Sequence, residues 1–464
     1  MTTTAVRSRR VVTPDGVRPA AIHISAGQIV RVSDWADAGQ PDSRTDFGDL
    51  AILPGIVDTH VHLNEPGRTE WEGFATATRA AAIGGVTALV DMPLNSIPPT
   101  TTREAFAAKR AAARGQCAVD VGFWGGVVPG NQRELAGLVA DGVRGFKCFL
   151  VDSGVAEFGW VGEAELAPAM QILAGLGRPL LVHAELAGPI DRATAGLHDA
   201  DPHRYATYLA SRPPAAEEEA IALVTRLCRA TRARTHIVHH SAASALQQLR
   251  DARAEGLPLS AETCPHYLHF TAESIPDGAT PFKCAPPIRD AANREALWAA
   301  LADGTLELVA SDHSPCSPAL KAIDPTAPPF GGAAREGALA RGGDFIAAWG
   351  GVSGLQLALS VVWTEAVRRG HSLSDVARWM SGAPAKLAGL AGQKGAIAPG
   401  HDADLVVFAD DETQAITSDR VHHRHKVTPY LGETLRGVVH ATYLRGELVA
   451  RSGELVADAR GALL

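Results

Sequence analysis

The sequence lacks several features that would point to particular partners. It has no surplus of basic residues, because 51 Asp and Glu outnumber 43 Lys and Arg and give a net charge of −8. That balance argues against a nucleic-acid binder. It has no uninterrupted apolar run of about 18 residues, the length that crosses a bilayer. Residues 1–16 also lack the apolar core of a signal peptide. We therefore expect neither nucleic acid nor a membrane as a partner.

Paired cysteines are also absent. The six cysteines are scattered without a C-x-x-C pair, which in a chain of this length is typical of a reduced, cytoplasmic protein. Histidine, by contrast, is abundant, with 18 residues, several of them in short apolar runs. The apolar fraction of 46% and the charged fraction of 20% are those of an ordinary globular protein. We expect a globular cytoplasmic protein whose chemistry uses histidine.

Short β-branched runs separated by turn residues occupy both ends of the chain. Residues 4–50 contain runs such as 21–24 between turns rich in Gly, Pro and Asp. The C-terminal part repeats the pattern at 405–408 and on both sides of the turn at 445–446. We expect residues 1–51 and 394–464 to fold together as one small β-sandwich.

The middle of the chain, 52–393, alternates differently. Apolar runs of about 4–7 residues precede Ala-rich amphipathic stretches of about 10–18 residues, as strands precede helices. Run 88–91 is followed by a predicted helix at 102–114, and run 179–182 by one long helical segment. Such repetition predicts a parallel sheet covered on both faces. At this length it favours a closed (β/α)8 TIM barrel, whose site lies at the carboxyl ends of the strands.

The motif Asp58-Thr59-His60-Val61-His62 lies in the first of these strand runs. Alternate side chains of a strand point to the same face, so Asp58, His60 and His62 share one face. Two imidazoles about 7 Å apart along a strand can reach one metal ion. The alternative is a pair of core or surface histidines, and the motif alone does not decide between them.

Four more polar residues lie in or at the end of other strand runs. Lys147 interrupts an apolar run, where a bare ammonium is costly, and His183, His239 and Asp312 each end a run. His239 is preferred to His236 because it is nearer the carboxyl end of its strand. A single residue of this kind would be explained as a capping residue or as a hydrogen-bonded polar residue of the core. Together with the two histidines of the first strand, they predict a metal site.

Lys147 needs separate treatment because an ammonium has only donors and cannot ligate a metal. If its amine adds carbon dioxide, the resulting carbamate carries one negative charge over two oxygens and can bridge two cations. Two divalent cations carry four positive charges, and the carbamate, the Asp312 carboxylate and a bridging hydroxide carry three negative ones. The small positive excess polarises a substrate carbonyl. The alternative is an unmodified lysine whose stem lies along apolar surface.

The order H-x-H, Lys, His, His, Asp resembles that of the cyclic amidohydrolases of the amidohydrolase superfamily. The resemblance extends from Leu53-Pro54-Gly55 to the segment 400–404. It implies a metal-centred (β/α)8 barrel with a β-sandwich built from both termini. It also implies that His60 and His62 bind one divalent metal, that His183 and His239 bind another, and that N6-carboxylated Lys147 bridges the two.

The resemblance further gives Asp312 two roles, as a metal ligand and as the catalytic proton shuttle. Histidine, carbamate and carboxylate ligands suit zinc, which we expect first, and they also accept cobalt, manganese or iron(II). Carbon dioxide or bicarbonate is needed to carboxylate the lysine. The family usually forms homotetramers acting on a small-molecule substrate, and we expect the same here.

Several segments separate the groups within this family. Dihydroorotases have an Arg that binds the substrate carboxylate two residues after the H-x-H motif. The corresponding residue here is Asn64, which argues against a substrate ring that carries a carboxylate. The position of the oxyanion Tyr of hydantoinases is Asp152. Long segments resemble the allantoinases, and these are 65–73, 145–149, 311–316, 348–356 and 424–430.

This resemblance implies hydrolytic ring opening of allantoin to allantoate. The bridging hydroxide attacks the ring carbonyl, and Asp312 accepts its proton and returns it to the departing nitrogen. Two alternatives stay open. One is a hydantoinase or dihydropyrimidinase of broader ring tolerance, and the other is a non-catalytic scaffold that kept the barrel.

Substrate contacts are predicted near the strand ends. The candidates are Arg68, Asn95, Ala285, Ser314 and Gly351. Arg68 is equally well explained by a structural ion pair with Glu72. Two further expectations are that Asp58 orients a ligating imidazole and that His266 supports the site without ligating. The Pro-, Gly- and Ala-rich segment 321–343 is a candidate lid.

Overall fold

Five strands begin the chain, as the short β-branched runs predict. They are β1 (Thr3–Thr13), β2 (Gly16–Ser25), β3 (Gln28–Asp34), β4 (Ser43–Asp46) and β5 (Ala51–Pro54). The structure, a computed structural model, describes residues 3–37, 39, 41–323, 342–456 and 460–464. β1 pairs antiparallel with β2 and parallel with β4 and β5, so the first strand organises this end of the chain.

Short parallel strands form the barrel. They are β6 (Ile56–Val61), β7 (Val86–Asp91), β8 (Asp120–Phe123), β9 (Gly125–Gly126), β10 (Phe146–Phe149), β11 (Leu180–His183), β12 (Thr235–Ile237), β13 (Leu259–Thr263) and β14 (Leu308–Val309). β6, β7 and β8 pair in that order, and β9 to β14 pair in sequence order. Only Trp124 separates β8 from β9, so these two are one bent strand.

The barrel closes through His313. A parallel bridge joins Val61 to His313, and the amide of His62 donates to the carbonyl of His313 at 2.8 Å. Eight strands are therefore joined in a ring, which confirms the predicted closed barrel. The strands are buried on both faces, as all-parallel sheets are.

Helices surround this barrel. They are α1 (Phe74–Ile83), α2 (Arg103–Ala113), α3 (Leu135–Asp141), α4 (Glu163–Leu176), α5 (Ala187–Thr194), α6 (Tyr205–Ser211), α7 (Ala215–Thr231), α8 (Leu246–Ala254), α9 (Pro265–His269), α10 (Ala291–Ala302), α11 (Ala358–Arg368), α12 (Leu373–Ala377) and α13 (Ala383–Leu387). The predicted helix 102–114 is confirmed as α2, and its N-cap Thr102 accepts from the amide of Ala105.

The long helical segment predicted after residue 182 is wrong in detail. Three helices, α5, α6 and α7, occupy it. Residues 212–214 separate α6 from α7, and this break contains Pro213 and Pro214. Proline disfavours the helical conformation in the residue before it and cannot supply the amide that helix hydrogen bonds need.

The last strands return to the first ones. They are β15 (Leu405–Ala415), β16 (Thr434–Leu444), β17 (Glu447–Arg451) and β18 (Glu454–Leu455). β15 pairs antiparallel with β5, so both ends of the chain share one nine-stranded sheet. The sheet also folds over, because Ala403 donates to the Gly27 carbonyl and accepts from the Gly446 amide, each at 2.8 Å. The predicted union of the two termini is confirmed.

Gly55 lies where the terminal sheet meets the barrel. Its amide donates to the carbonyl of Asp404 at 2.8 Å. A Cβ at this position would lie 2.1 Å from Oγ1 of Thr87, so only glycine allows the two units to approach this closely.

A buried charged cluster also links the barrel and the sheet. Nζ of Lys394 lies 2.7–2.9 Å from carboxylate oxygens of Asp120, Asp402 and Asp404.

Two sequence expectations concern the whole chain. All six cysteines are free and buried. None of the helices in the described ranges combines the length and the apolar character that crossing a bilayer requires.

Candidate metal centre

A cavity of about 240 Å³ opens at the carboxyl ends of the barrel strands. Its wall contains all six predicted ligands, which are His60, His62, Lys147, His183, His239 and Asp312. Residues spread over more than 250 positions of sequence thus meet in one place. Each is 6% exposed or less, so the donors face a buried space rather than bulk solvent.

The strands explain how each donor reaches the cavity. His60 and His62 alternate at the end of β6, Lys147 lies within β10, and His183 ends β11. His239 and Asp312 follow β12 and β14 in left-handed turns, with φ of 39° and 46°. Non-glycine residues adopt this conformation rarely, and it occurs often at functional sites.

The first predicted metal position is compact. Asp312 Oδ1 lies 3.1 Å from His60 Nε2 and 3.7 Å from His62 Nε2. Ligand atoms of these three residues all lie within 4.8 Å of one another. The imidazole of His239 lies next to this group, with ring centroids 5.3 Å from His60 and 4.6 Å from His183. The four imidazoles therefore form one cluster that ends at Asp312.

Two buried glutamates that the sequence analysis assigned no role bind the far sides of these rings. Oε1 of Glu262 lies 2.5 Å from Nδ1 of His60. Oε2 of Glu185 lies 2.8 Å from Nε2 of His183. A carboxylate only accepts hydrogen bonds, so each fixes the ring proton on its own side and leaves the other nitrogen free to bind a metal. Glu185 is two residues after His183, and this spacing was the available signal.

Asp58 does not orient an imidazole, contrary to expectation. Its carboxylate accepts from the backbone amides of His60 at 3.1 Å and of Ser311 at 3.2 Å. Because these amides belong to the strand ends that carry His60 and Asp312, Asp58 fixes backbone rather than a ring. Burial raises the pKa of its carboxyl to about 6.

Lys147 is 1% exposed, and its Nζ lies 4.9 Å from the ring centroid of Phe149. Burial lowers the pKa of the amine to about 8. The amine of Lys147 therefore does not reach bulk solvent. A neutral amine is also the form that adds carbon dioxide.

The electrostatics of the cluster suit cations. Burial lowers the pKa of His62 to about 4, and it also lowers the pKa of His183 and of His239. Burial disfavours the charged carboxylate of Asp312, but His60 and His62 outweigh it and lower its pKa far below the ordinary value. The cavity therefore presents an ionised carboxylate at Asp312 and neutral imidazoles at His62, His183 and His239. In the described part of the chain Nδ1 of His239 is buried without a hydrogen-bond partner.

These observations fit the implied pair of divalent ions. The donors are imidazole, carboxylate and a lysine suited to carboxylation, which is a set that zinc, cobalt, manganese and iron(II) all accept. Carboxylates behind the rings are the usual partners of metal-binding histidines.

The predicted substrate contacts divide into two groups. Asn95, Ala285 and Ser314 line the cavity, and the Asn95 amide lies 3.3 Å from Nδ1 of His62. Arg68 and Gly351 are not among the described lining residues. The Gly351 amide donates instead to the carbonyl of Lys283 at 2.9 Å.

Arg68 forms an ion pair, but with a different partner from the one expected. Its guanidinium pairs with Glu157 and donates to the carbonyl of Asn95 at 2.9 Å. Glu72 accepts instead from the backbone amide of Arg424 at 3.1 Å. Arg68 therefore contacts the cavity wall indirectly, through Asn95 and through Trp71, whose ring packs against Trp349 of the wall.

Three further residues of the wall were not anticipated, Tyr208, Arg212 and Lys283. Arg212 donates to both oxygens of Glu185, at 3.1 and 2.9 Å. Lys283 Nζ donates to the carbonyls of Ile346 and Ala348, at 3.0 and 2.5 Å. Tyr208 lies in α6, Arg212 directly follows that helix, and Lys283 lies in the segment between α9 and α10, and no local motif marks them.

The segment predicted to be a lid is described only at its two ends. The amide of Gly343 donates to the carbonyl of Ala322 at 2.7 Å, which joins those ends. Residues 324–341 lie outside the described residues. His266, expected to support the site, is buried, and neither ring nitrogen has a partner among the described residues.

The chain is similar to known proteins over most of its length. The amidohydrolase family matches residues 51–449. An allantoinase of Streptomyces avermitilis is 50% identical over 461 residues, covering 99% of this chain and 98% of the other. An allantoinase of Arabidopsis thaliana is 42% identical over 475 residues, covering 99% and 90%. Among solved structures, the L-hydantoinase (dihydropyrimidinase) of Arthrobacter aurescens gives a TM-score of 0.91 at 30% identity, covering 100% and 99%.

Proposed function

The chain belongs to the amidohydrolase family, and we propose that it hydrolyses allantoin to allantoate at a pair of divalent metal ions in the barrel cavity. The observation that carries the proposal is the convergence of six donors from separate strands in one buried cavity. The substrate is supported by relatives named allantoinase that match nearly the whole chain. The enzyme is thus a hydrolase that acts on a small cyclic amide.

We assign the metal-holding residues as follows. His60 and His62 hold one ion, His183 and His239 hold the other, N6-carboxylated Lys147 bridges them, and Asp312 completes the first site. When bound, the two ions would supply an activated water and a Lewis acid for the ring carbonyl. Zinc is the ion we propose, since imidazole and carboxylate oxygen are ligands it commonly takes.

Asp312 moves the proton in this reaction. Its carboxylate is ionised and lies buried beside His60, so an unprotonated oxygen is available at the metal site to take a proton. As the water oxygen bonds to the ring carbon, Asp312 Oδ takes the water proton. The carbon–nitrogen bond of the ring then breaks, and Asp312 returns the proton to the departing nitrogen. A protein nucleophile is not needed.

The cavity suits a small, neutral ring rich in donors and acceptors. The wall offers the Asn95 amide, the Ser314 hydroxyl and backbone groups at Ala285. Burial of the space excludes bulk water, which strengthens each polar contact. We propose these three residues as substrate contacts. Arg68 and Gly351 donate hydrogen bonds to backbone carbonyls, of Asn95 and of Lys283. We therefore propose that they support the cavity wall and do not contact the substrate.

A substrate panel tests the proposal. Protein of measured metal content is assayed with allantoin, hydantoin and dihydrouracil. We expect allantoin to have the highest kcat/KM by at least about tenfold, a difference of about 1.4 kcal/mol in transition-state binding. Equal values for the three rings would favour the second candidate, a broad hydantoinase, which the structural similarity to the Arthrobacter aurescens enzyme supports.

Carboxylation of Lys147 has its own test. We expect protein labelled with 13C-bicarbonate to show one carbamate carbon resonance, and we expect Lys147→Met to abolish both that resonance and bound metal. Wild-type protein that binds two metals but shows no carbamate signal would overturn the assignment of the bridge.

Three broader properties are also proposed. We propose a cytoplasmic homotetramer, because six free cysteines suit a reducing compartment and the family usually forms tetramers. We propose domain limits of 1–51, 52–393 and 394–464. Light scattering measures the assembly, cell fractionation the compartment, and limited proteolysis the domain limits.

A further inference from the structure

Glu262 lies behind the cluster of metal ligands, against His60 and His239, and is not itself one of the assigned ligands. It belongs to β13 and is fully buried, and its carboxylate contacts His60 of β6 and two residues in or just after β12, His236 and His239. We propose that Glu262 is a positioning residue that couples the two metal sites, because its carboxylate holds one ligand of each. This inference rests on the two-metal function proposed above.

One oxygen of Glu262 serves both sites. Oε1 lies 2.5 Å from Nδ1 of His60 and 3.3 Å from the backbone nitrogen of His239. His60 is assigned to one metal and His239 to the other. The first contact sets the rotation of an imidazole, and the second holds the backbone of a residue in a left-handed turn, with φ of 39°. A shift of this oxygen therefore displaces donors of both sites.

The other oxygen fixes the carboxylate itself. Oε2 of Glu262 lies 3.1 Å from Nε2 of His236, whose Nδ1 lies 2.7 Å from the hydroxyl of Ser260. His236 is the histidine that the sequence analysis rejected as a ligand, and it is not among the described cavity residues. Its function is instead to hold Glu262 in place.

Glu185 provides a natural comparison within the same chain. It is equally buried and lies 2.8 Å from Nε2 of His183. Within the described ranges its other side-chain hydrogen bonds are the two from Arg212. Among its described partners, only one is an assigned metal ligand. The two glutamates thus differ in how many sites each one supports.

This difference makes a sharp prediction for Glu262→Gln and Glu185→Gln. An amide keeps the shape of the side chain but places a donor where an acceptor is needed. Loss of a carboxylate behind a metal-binding histidine typically weakens metal affinity by about 10–100-fold. We expect Glu262→Gln to weaken both sites and Glu185→Gln to weaken only one, leaving the other at the wild-type affinity.

Cobalt titration separates these outcomes. Metal-free wild-type and variant proteins are titrated with Co²⁺ in bicarbonate buffer, with calorimetry for affinity, visible absorption for the coordination sphere and elemental analysis for stoichiometry. Unfolding of the metal-free proteins is measured in parallel. A merely structural role would lower the unfolding temperature of metal-free Glu262→Gln without changing its Co²⁺ spectrum.

The outcomes are distinct. The inference stands if Glu262→Gln weakens both sites, and it fails if this variant keeps one or two sites of wild-type affinity. If Glu262→Gln does not fold, His236→Asn replaces it, because among the contacts of Glu262 it removes only the one to Oε2. We then expect a smaller loss at both sites, and unchanged affinities would overturn the inference. Wild-type protein that binds fewer than two Co²⁺ would refute the proposed function instead.

Discussion

Oδ1 of Asp312 lies 3.1 Å from Nε2 of His60, although 252 positions separate the two residues in sequence. The contact exists because the barrel closes between β14 and β6, which places the first and last strand ends side by side. It brings the proposed proton shuttle next to the proposed metal.

Asp312→Asn should lower kcat with allantoin by about 10²–10⁴-fold, the range lost when a general acid–base group is removed. The amide has nearly the same shape, so the fold should persist. Steady-state kinetics with protein of known metal content measures the effect. Ser317→Ala, a change in the following loop, is the control and should stay near wild type. A kcat within tenfold of wild type for Asp312→Asn would exclude the shuttle role.

Lys283 holds the wall of the cavity that contains Ile346 and Ala348. Its ammonium donates to both of their carbonyls, so Lys283→Met keeps the length of the side chain and removes both bonds. We expect KM for allantoin to rise by on the order of tenfold, about the energy of one charged hydrogen bond, with a smaller change in kcat. Kinetics of this variant are compared with those of Lys386→Met, whose lysine is exposed. A change in kcat alone would contradict a role in holding the wall.

The buried cluster around Lys394 should dominate the stability of the junction between barrel and sheet. Lys394→Met leaves the carboxylates of Asp402 and Asp404 without their cation, and breaking such a buried pair costs about 3–5 kcal/mol. Urea unfolding of the metal-free protein measures the loss. Arg226→Gln, which removes an exposed pair with Glu163, should change the unfolding free energy little. Equal effects of the two variants would show that the cluster contributes no more to the unfolding free energy than an exposed ion pair does.

Glu365 should make stability depend on pH in the acid range. Burial alone would raise the pKa of Glu365, but hydrogen bonds from His269 and Arg369 outweigh it and lower the pKa to about 2 from 4.5. The contribution of the ionised carboxylate is thus complete above about pH 4.5 and is lost as the pH falls toward 2.

Because Glu365→Gln does not titrate, its deficit in unfolding free energy relative to wild type should be largest at pH 6 and should shrink at pH 3.5. Urea unfolding of metal-free proteins at the two pH values checks this. Glu412→Gln, at an exposed pair with His440, serves as the control. A deficit that grows on acidification would show the sign to be wrong.

The sequence predicted the barrel, the union of the termini and the residues that meet in the cavity. These follow from local signals. Strand alternation places His60 and His62 on one face, and apolar runs that end in a polar residue mark His183 and Asp312. Each of these patterns spans only a few residues, and the barrel fold brings the ends of the strands that carry them to one cavity.

The carboxylates behind the rings could not be predicted in this way. Glu262 contacts His60 across 202 positions of sequence, and the contact depends on the register of strands that are not neighbours in the chain. Arg68 shows the same limit, since its partner is Glu157 and not the nearby Glu72. Asp58 has the right spacing to orient an imidazole, but backbone amides at the closure of the barrel hold it.

The pairing of β5 with β15 has a practical meaning for protein engineering. β5 leads through Gly55 directly into the first barrel strand, so the terminal sheet and the barrel share a continuous hydrogen-bonded connection. A chimera that transplants the barrel alone would expose the edge of β5. It would also separate Asp120 of the barrel from Lys394, Asp402 and Asp404. Recombination between relatives should therefore exchange the two chain ends as a single block.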